Sequence, residues 1–386
     1  MRLAVYTDYS YRRRDGAVYG ERAFVVFLSR LAESLDGMVL IGRLDPRPGS
    51  SHYRLPDAIG FVPLPHYESQ VRPLRLAASL VRSLGRFWRA LSGVDAVWLL
   101  GPHPVAIVFA CLARMRGRRV VLGVRQDLPR YARSRHPRRR WTHLAADVLD
   151  AIWRLMARRL PVVVVGPELA RRYGAAPRLL ELSVSLVERA DIVPASEALS
   201  RPYGGRLQAL SVGRLETEKN PLLLADVLAR ARERDGDWRL VVCGEGPLAP
   251  ALTDRLRQLH VADDAELRGY VPIADGLREL YRDSHALLHV SLTEGLPQVL
   301  FEAFAAGLPV VATAVGGVAD AVGGAALLVP PEDADAAAAA LERIATDDRL
   351  RARLVESGLE LARARTIESE CARLREFLAD AVAEES

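Results

Sequence analysis

Residues 286–313, ALLHVSLTEGLPQVLFEAFAAGLPVVAT, decide the fold class of this chain. The apolar run 286–290 predicts a buried strand, and Gly295 and Pro297 interrupt the chain shortly after it. The following residues predict a short helix that ends at Gly307, after which a second apolar run predicts the next strand. A strand, a helix and a second strand within this length form a βαβ unit, which joins parallel strands of one sheet.

The same alternation of short apolar runs and longer amphipathic stretches continues outward to both ends of the chain and predicts an α/β protein. A chain of 386 residues also exceeds what one hydrophobic core usually supports. We therefore expect two domains with parallel sheets, at residues 1–190 and 191–365, and a closing helix at residues 366–386 that packs back on the first domain. The predicted strands cover residues 2–6, 38–41, 96–100, 119–124, 161–165, 207–212, 239–243, 265–268, 286–290, 309–312 and 326–329.

Charge is divided unevenly between the two predicted domains. Residues 1–190 contain 32 arginines and 15 acidic residues, a balance of +17, whereas residues 191–386 contain 21 basic and 33 acidic residues, a balance of −12. Such an excess of positive charge in one half predicts contact with an anionic partner, namely a phosphorylated acceptor, a membrane surface or nucleic acid. The alternative is a basic face that meets only solvent.

One predicted amphipathic helix concentrates this positive charge. At 100° per residue, five arginines fall within an arc of about 100°, and the apolar residues of the stretch occupy the opposite side. The pattern fits a helix that lies on the sheet with its arginines in water, or one that contacts an anionic membrane surface. The five arginines are Arg72, Arg75, Arg82, Arg86 and Arg89.

Other features of the sequence narrow the class of protein. No apolar stretch reaches the length of a spanning helix and the N-terminus lacks a signal-peptide pattern, so we expect a cytoplasmic protein, with any membrane contact at the inner surface. Three widely spaced cysteines predict neither a disulfide framework nor a zinc site. Of 53 basic residues only Lys219 is a lysine, which suggests a position where a guanidinium does not substitute for an ammonium.

Two glutamates belong to the segment that decides the fold. Glu294 lies on its loop and Glu302 lies eight positions later on its helix, so both carboxylates are expected near the carboxyl end of a strand. Carboxylates accept hydrogen bonds from paired sugar hydroxyls, and a helix N-terminus offers its N–H groups to phosphate. The alternative is a pair of solvated glutamates beside a turn.

A second predicted strand end carries two cations. The segment SVGRLETEKNP, residues 211–221, places Arg214 and Lys219 directly after a strand. Two cations at such a position can clamp a diphosphate and neutralise charge on a departing group. Alternatively, the two side chains pair with Glu216 and Glu218.

A third strand end, VVCGEGP at residues 241–247, has two glycines, Gly244 and Gly246, that permit close approach of a ligand. Taken together and in this order, the three segments resemble the retaining glycosyltransferases of family 4. That family has the GT-B fold, with two facing Rossmann-like domains and a cleft between them. The resemblance is close over residues 207–330 and holds only in outline in the N-terminal half.

The resemblance implies a site for a nucleoside diphosphate sugar. Glu294 and Glu302 fit the Glu-x7-Glu motif of the family, whose first glutamate contacts the donor sugar and whose second holds the ribose. Arg214 and Lys219 fit its Gly-Arg-x4-Lys segment, which binds the diphosphate. The donor-binding residues implied in this way are Gly20, Gly213, Gly244, Gly246, Val271, Gly295, Leu296, Pro297, Val299 and Glu302.

On the acceptor side the chain departs from the family pattern. Gly20 alone represents the glycine pair that follows the first strand in the family. The histidine that many members carry after the fifth strand is replaced here by the sequence from Arg125 to Asp127. The candidates for an acceptor-side group are therefore Asp127 or Arg125, together with His103 in the loop GPHP. The alternative for His103 is a structural histidine.

The function implied by the resemblance is transfer of a sugar, with retention at the anomeric carbon, to a hydroxyl of a glycan, glycolipid or natural product. Arg214, Lys219 and Glu294, with His103 or Asp127, are the catalytic candidates. We expect no cofactor or metal, because protein cations and a helix N-terminus neutralise the leaving diphosphate. With the function that the resemblance implies, no nucleic acid is expected as the anionic partner. A nucleotide-sugar epimerase or hydrolase, or a non-catalytic nucleotide-sugar-binding protein, are the alternatives on this fold.

Overall fold

Residues 1–47, 51–66, 73–135, 138–234 and 236–383 are described by a computed structural model of the chain. They divide into two units. The first comprises Met1–Val184 and Ile367–Ser386, and the second comprises Ser185–Thr366. These limits differ by a few residues from the expected boundaries at 190/191 and 365/366.

A nine-stranded sheet forms the centre of the first unit. Its strands are β1 (Arg2–Arg14), β2 (Ala17–Gly20), β3 (Gly37–Leu44), β4 (Tyr53–Arg54), β5 (Ile59–Pro65), β6 (Ala96–Gly101), β7 (Arg119–Val124), β8 (Val162–Val165) and β9 (Leu179–Leu182). Seven of them pair in parallel in the order β5, β3, β1, β6, β7, β8, β9. Strand β2 pairs in antiparallel fashion with residues 11–14, the last of β1, and β4 pairs in the same fashion with β2.

Helices cover both faces of this sheet. They are α1 (Phe24–Ala32), α2 (Pro73–Ala90), α3 (Pro104–Met115), α4 (Leu128–Arg135), α5 (Arg140–Ala157) and α6 (Pro167–Arg172). Phe87 of α2, Phe109 of α3 and Trp153 of α5 share one buried cluster with alternate residues of β6 and β7. Trp98, between two of those residues on β6, instead contacts Phe24 of α1. Because side chains alternate along a strand, α2, α3 and α5 lie on one face and α1 lies on the other.

The second unit contains a six-stranded sheet in the order β12, β11, β10, β13, β14, β15, and every pairing in it is parallel. The strands are β10 (Leu207–Val212), β11 (Trp238–Cys243), β12 (Ala265–Gly269), β13 (Ala286–His289), β14 (Val310–Thr313) and β15 (Ala326–Val329). The helices are α7 (Ala195–Leu199), α8 (Leu222–Glu233), α9 (Ala249–Gln258), α10 (Arg278–Asp283), α11 (Gln298–Ala305), α12 (Val318–Val322), α13 (Ala334–Thr346) and α14 (Asp348–Ala364). Nearly continuous apolar strands such as β14 suit a sheet that is covered on both faces.

The last helix, α15 (Ile367–Ala383), belongs to the first unit. Its buried Glu370 accepts the backbone N–H of Ser183 at 2.8 Å and also pairs with Arg373 at 2.8 Å. Leu374 and Leu378 of the same helix are fully buried. The chain therefore crosses to the second unit after Val184 and returns after Thr366.

The strands expected from the sequence all occur, but four strands of the first unit, β2, β4, β5 and β9, had no sequence prediction. The helix expected at residues 72–91 corresponds to α2. Arg72 and the side chain of Arg75 lie outside the described residues. The predicted separation of the two faces of this helix holds for the buried Phe87 and for the exposed Arg82 and Arg89, but it is wrong at three other positions. Val81 and Trp88 of the expected apolar side are exposed, whereas Arg86 of the basic side is half-buried and donates to the carbonyl of Pro63.

Candidate active site

The parallel topology of the second unit brings the carboxyl ends of its strands to one edge of the sheet. The loops after β10, β11, β12 and β13 leave the sheet there, and they contain every predicted donor-site residue of this unit except Val299 and Glu302, which lie on the following helix α11. Segments far apart in sequence therefore form one candidate site, at the edge where ligands bind in open parallel α/β sheets.

Backbone packing between three of these loops requires glycine. The N–H of Gly213 donates to the carbonyl of Cys243 at 2.9 Å, and the N–H of Gly244 donates to Gly269 at 2.7 Å. A Cβ on Gly244 would overlap the carbonyl of Gly213, and one on Gly246 would overlap backbone of the loop after β10. The sequence indicated that Gly244 and Gly246 admit a ligand. The structure gives them a further role, the close packing of neighbouring loops.

Lys219, Glu294 and His289 form the charged centre of the site. The ammonium of Lys219 donates to Glu294 Oε1, and His289 Nε2 lies 3.0 Å from the same oxygen. The hydroxyl of Ser291 lies 3.1 Å from His289 Nε2. The glutamate side chain is 9% exposed and the lysine side chain 22% exposed, so the ion pair is largely removed from water.

The surroundings of Glu294 determine its protonation. Burial alone would raise the pKa of Glu294, but the charge of Lys219 and the hydrogen bond from His289 outweigh it and hold the pKa well below its usual range. The carboxylate is therefore ionised at neutral pH and holds the ammonium of Lys219 at the strand edge.

Arg214 and Lys219 do not share the same partners. The guanidinium of Arg214 lies 2.5 Å from Glu216 and 3.0 Å from Glu218, which is the pairing that the sequence offered as an alternative to ligand binding. Lys219 pairs instead with Glu294, 75 positions further along the chain. Arg214 is 41% exposed, so its pairs are open to exchange with an anion from solvent.

Glu302 lies on α11, where Tyr281 of α10 donates to its Oε2 at 2.7 Å. Burial raises the pKa of Glu302, and the hydrogen bond from Tyr281 opposes that rise. Burial and the neighbouring Glu302 also raise the pKa of Tyr281 far above its usual value, so the phenol remains a donor. A carboxylate held in this way by one oxygen retains capacity for further donors, such as a pair of hydroxyls.

The remaining predicted donor residues surround the start of α11. Gly295 and Leu296 precede Pro297, which is the residue immediately before this helix. Val271, Leu296 and Val299 are partly buried against the core cluster below the site. They can therefore provide both packing for the core and contact area for a ligand.

Sequence reasoning missed His289, Ser291, Tyr281 and Gly316. His289 is the single polar residue in an otherwise apolar strand, and this was the available signal. Gly316 follows β14 with φ of 56°, and a Cβ there would overlap the carbonyl of Glu294. The loop after β14 therefore supports the loop that carries the catalytic candidate.

Four predicted residues, His103, Asp127, Arg125 and Gly20, lie in the first unit. The Nδ1 atom of His103 accepts the N–H of Val105 at 3.3 Å and contacts the hydroxyl of Tyr6 at 3.1 Å, so this ring caps α3. Burial lowers the pKa of His103, which favours the neutral ring. These contacts agree with the alternative of a structural histidine.

Asp127 has structural contacts as well. It accepts the N–H of Arg130 at 3.0 Å, at the start of α4, and pairs with Arg172 at 2.9 Å.

Gly20 ends β2, where a Cβ would lie 2.7 Å from Val25 Cγ2. Internal packing thus accounts for the glycine at position 20. Arg125 lies over the ring of Phe24, 4.2 Å from its centroid, and donates to the Tyr9 hydroxyl.

Within the described ranges, no three histidine, cysteine, aspartate or glutamate side chains come together in a way that could hold a metal ion. In the part of the chain that the structure describes, no helix is long and apolar enough to span a bilayer.

Most of the second unit matches a known family model. Residues 196–360 match the family model described as Glycosyl transferases group 1. The D-inositol 3-phosphate glycosyltransferase of Kribbella flavida is 36% identical over 210 residues, which cover 50% of this chain and 49% of that protein. The chain spans about half the length of the curated relatives of this kind that it matches.

Solved structures extend the likeness to the whole chain. Sucrose-phosphate synthase from Thermosynechococcus elongatus has a TM-score of 0.74 at 19% identity, with all of both chains covered. Anabaena HepE in complex with UDP and glucose has a TM-score of 0.71 at 15% identity, with 98% of this chain and 99% of that chain covered. The likeness confirms the expected GT-B fold class, with two Rossmann-like α/β domains.

Proposed function

We propose that this chain is a glycosyltransferase that moves a sugar from a nucleoside diphosphate donor to a hydroxyl acceptor, with retention at the anomeric carbon. The observation that carries the proposal is the buried pair of Lys219 and Glu294 at the carboxyl edge of a parallel sheet. Residues 196–360, which contain this pair, are also the part of the chain that matches the group 1 family model.

The donor site is proposed to use the edge of the second unit. The ribose hydroxyls are assigned to Glu302, which Tyr281 already orients through one carboxylate oxygen. The sugar hydroxyls are assigned to Glu294, which is ionised and fixed by two partners. This assignment follows the Glu-x7-Glu pattern. The fold neighbour HepE is in complex with UDP and glucose, which are ligands of the class proposed here.

The leaving diphosphate is assigned to Arg214, Lys219 and the N-terminus of α11. As the bond between the anomeric carbon and the diphosphate breaks, negative charge grows on the phosphate oxygen, and a fixed cation stabilises that charge. Lys219 is held in position before the donor arrives, because its ammonium is already paired with Glu294. Arg214 reaches the same oxygens by exchanging its exposed pairs with Glu216 and Glu218.

The reaction is proposed to be independent of a metal ion and of any organic cofactor. Two protein cations and a helix dipole supply the positive charge that a divalent cation supplies in other nucleotide-sugar sites. The deprotonated diphosphate oxygen accepts the proton of the attacking hydroxyl on the same face of the sugar, so no protein nucleophile is needed.

The acceptor is assigned to the first unit, and we propose that it carries negative charge. The balance of +17 over residues 1–190 supports this assignment. The name of the Kribbella flavida relative also includes a phosphorylated polyol. His103 and Asp127 remain candidates beside the acceptor, although the contacts of both are structural. The arginine face of α2 is the corresponding candidate for contact with an anionic membrane.

The decisive test measures transfer and binding separately. A panel of nucleoside diphosphate sugars is screened by thermal shift, and the donor that stabilises the protein is incubated with polyol phosphates and glycolipid acceptors. The expected result is a glycoside whose anomeric proton coupling matches that of the donor. Product formed without acceptor would identify an epimerase or hydrolase, and donor binding with no turnover for any acceptor would identify a binding protein.

A matched pair of variants links the result to the site. Lys219→Ala removes the cation assigned to the leaving group, whereas Arg257→Ala removes an exposed arginine whose partner Asp254 lies on the same helix α9. Loss of transfer in the first variant and normal transfer in the second support the assignment. Equal activity in both would remove the diphosphate clamp from the proposal.

A further inference from the structure

Helix α5 of the first unit has an apolar side that faces solvent. Its exposed residues are Trp141 (69%), Leu144 (67%), Val148 (49%), Ile152 (38%) and Leu155 (60%). At 100° per residue they lie within about 80° of one another and extend over about 21 Å of the helix. We call these five residues the α5 stripe.

The opposite side of α5 packs on the sheet and contains a charged residue. Trp153 and Asp150 of that side are buried. Asp150 accepts bonds from Arg154 at 2.9 Å, from Arg172 at 2.6 Å and from the Tyr173 hydroxyl at 3.1 Å. These contacts fix the rotation of the helix, so the stripe points away from the core. An amphipathic helix in water normally has the reverse arrangement, with its apolar side toward the core.

Two other helices on the same face of the sheet also have exposed apolar residues. Val81 and Trp88 of α2 and Val108 and Met115 of α3 are also exposed. Both helices lie on the same face of the sheet as α5, since all three contribute to one buried cluster. Of the twelve large hydrophobic residues that are exposed in the described part of the chain, nine belong to these three helices. A concentration of this kind marks an interaction surface.

This surface is surrounded by positive charge. Residues 73–160 contain 18 arginines, no lysine and four acidic residues, a balance of +14. Arg140 precedes the stripe, and Arg158 and Arg159 follow it, all three exposed. On α5 itself, Asp150 is buried in its ion pairs, and Asp147 is bound by Arg133 at 2.8 Å.

We propose that the α5 stripe and its flanking arginines dock on the surface of an anionic lipid bilayer. A helix with an apolar side and basic flanks lies in the plane of the interface, with its apolar side among the acyl chains and its cations on the headgroups. The tryptophan at one end of the stripe suits the headgroup boundary. This docking surface differs from the arginine face of α2 and does not depend on the proposed chemistry.

A second copy of the chain does not fit the same surface. Two copies that met through their α5 stripes would bring two arginine-rich segments of balance +14 together, and like charges at a contact are repulsive. An anionic bilayer offers apolar area and negative charge together, and it can engage the exposed residues of α2, α3 and α5 at once.

The test is co-sedimentation of the full chain with vesicles of 30% phosphatidylglycerol and 70% phosphatidylcholine, and with pure phosphatidylcholine. Trp141→Ser combined with Leu144→Ser and Leu155→Ser removes the three most exposed residues of the stripe without touching a buried residue. We expect a loss of about tenfold or more in the partition coefficient for the anionic vesicles. Leu199→Ser combined with Leu328→Ser, two exposed positions of the second unit, is the matched control and should bind normally.

A second measurement reports the depth of the contact. Tryptophan fluorescence should shift to shorter wavelength with anionic vesicles and be quenched by lipids brominated near the headgroup. Trp141→Phe should still bind but keep only the smaller part of that signal that comes from Trp88, which is 39% exposed. Failure of the wild type to bind anionic vesicles at low salt would overturn the proposal. So would full binding by the triple serine variant, and loss of binding only in Arg82→Gln with Arg86→Gln and Arg89→Gln would assign the contact to α2. Binding to neither vesicle, together with a concentration-dependent dimer that the triple variant abolishes, would assign the stripe to self-association.

Discussion

Replacing Lys219 by methionine should destabilise the second unit more than replacing Glu294 by glutamine. Methionine keeps the length of the side chain and removes its charge. The carboxylate of Glu294 then remains at 9% exposure without the ammonium that compensates it, and only His289, at 3.0 Å, is left beside it. Leaving a buried charge unpaired in this way costs about 3 kcal/mol.

Glu294→Gln should cost less than Lys219→Met, because the residue left without its partner, Lys219, is more exposed than Glu294. With Glu294→Gln, the ammonium is 22% exposed and can hydrogen-bond to water, so we expect a loss of about 1 kcal/mol. The double variant leaves neither charge behind and should lose about 1–2 kcal/mol. The two substitutions are therefore predicted to be coupled by about 2 kcal/mol.

The cost of Lys219→Met should also depend on pH. In the wild type the folded-state pKa of Glu294 is depressed, so the stability from its charge is present above the unfolded value of 4.5 and is lost as pH falls through the folded value. Without the lysine, burial dominates and raises the pKa above the unfolded value. The variant then gains stability as pH falls, and the difference between the two proteins should narrow between pH 7 and about pH 4.

Urea unfolding with fluorine-labelled tryptophan separates the two units. Trp238 is buried in β11 and is the only tryptophan of the second unit's sequence, whereas the other four tryptophans belong to the first. The transition at Trp238 should shift in Lys219→Met, and the transitions of the other four should not. Arg214→Met, which removes exposed ion pairs of the same segment, is the control and should change stability by about 0.5 kcal/mol or less.

Equal losses for the two single variants, with an additive double variant, would refute the reasoning. That outcome would mean that the ion pair contributes no coupling energy despite its burial. An undiminished difference between Lys219→Met and the wild type at pH 4 would separately refute the role assigned to the charge of Glu294.

Three further predictions concern activity and local packing. Lys219→Ala should remove about 3 kcal/mol of transition-state stabilisation, which lowers kcat/KM roughly a hundredfold. Lys219→Arg should have a kcat/KM between those of Lys219→Ala and the wild type. Steady-state kinetics well below the unfolding temperature measure both values. Transfer should persist in excess chelator, and complete loss restored by magnesium or manganese would contradict the proposed metal-free chemistry. Gly244→Ala should destabilise the second unit by about 2 kcal/mol or more, because its Cβ would overlap backbone. Gly213→Ala, with nothing within 4 Å of its Cβ, should fold normally. It should nevertheless lose donor affinity in a binding titration.

Much of the fold follows from local pattern. Continuous apolar runs identified the buried strands of both sheets, because a strand covered on both faces has no polar side. Strands β4 and β9 were not predicted, because they are very short or carry a charged residue. Strand β5 was not predicted because its two prolines, at positions 63 and 65, argue against a strand. Among the described strands, β5 lies at the edge of the parallel array and pairs only with β3, and an edge strand tolerates proline.

The candidate site, too, was predicted from the sequence only in part. The sequence by itself marked Lys219 as unique and placed it, with Arg214 and Glu294, after strands whose carboxyl ends meet in a parallel sheet. It left open whether Arg214 and Lys219 bind a diphosphate or pair with Glu216 and Glu218. The tertiary structure gives Lys219 a partner that neither alternative included, since β10 and β13 are hydrogen-bonded neighbours and the loops that follow them therefore meet. Lys219 consequently pairs with Glu294, and the buried His289 joins the pair from the end of β13.

Only the tertiary structure also decided the rotation of the helices. Periodicity in α5 separates apolar from polar residues, but it does not say which side faces the sheet. The decision comes from Arg172 and Tyr173, which follow the next strand and hold Asp150 inward, so that Trp141 and its neighbours face out. The sequence determined the strands, the strand-end motifs and the distribution of charge because these depend on residues close together in the chain. Ion-pair partners and exposed faces depend on residues that only the folded sheet brings into contact.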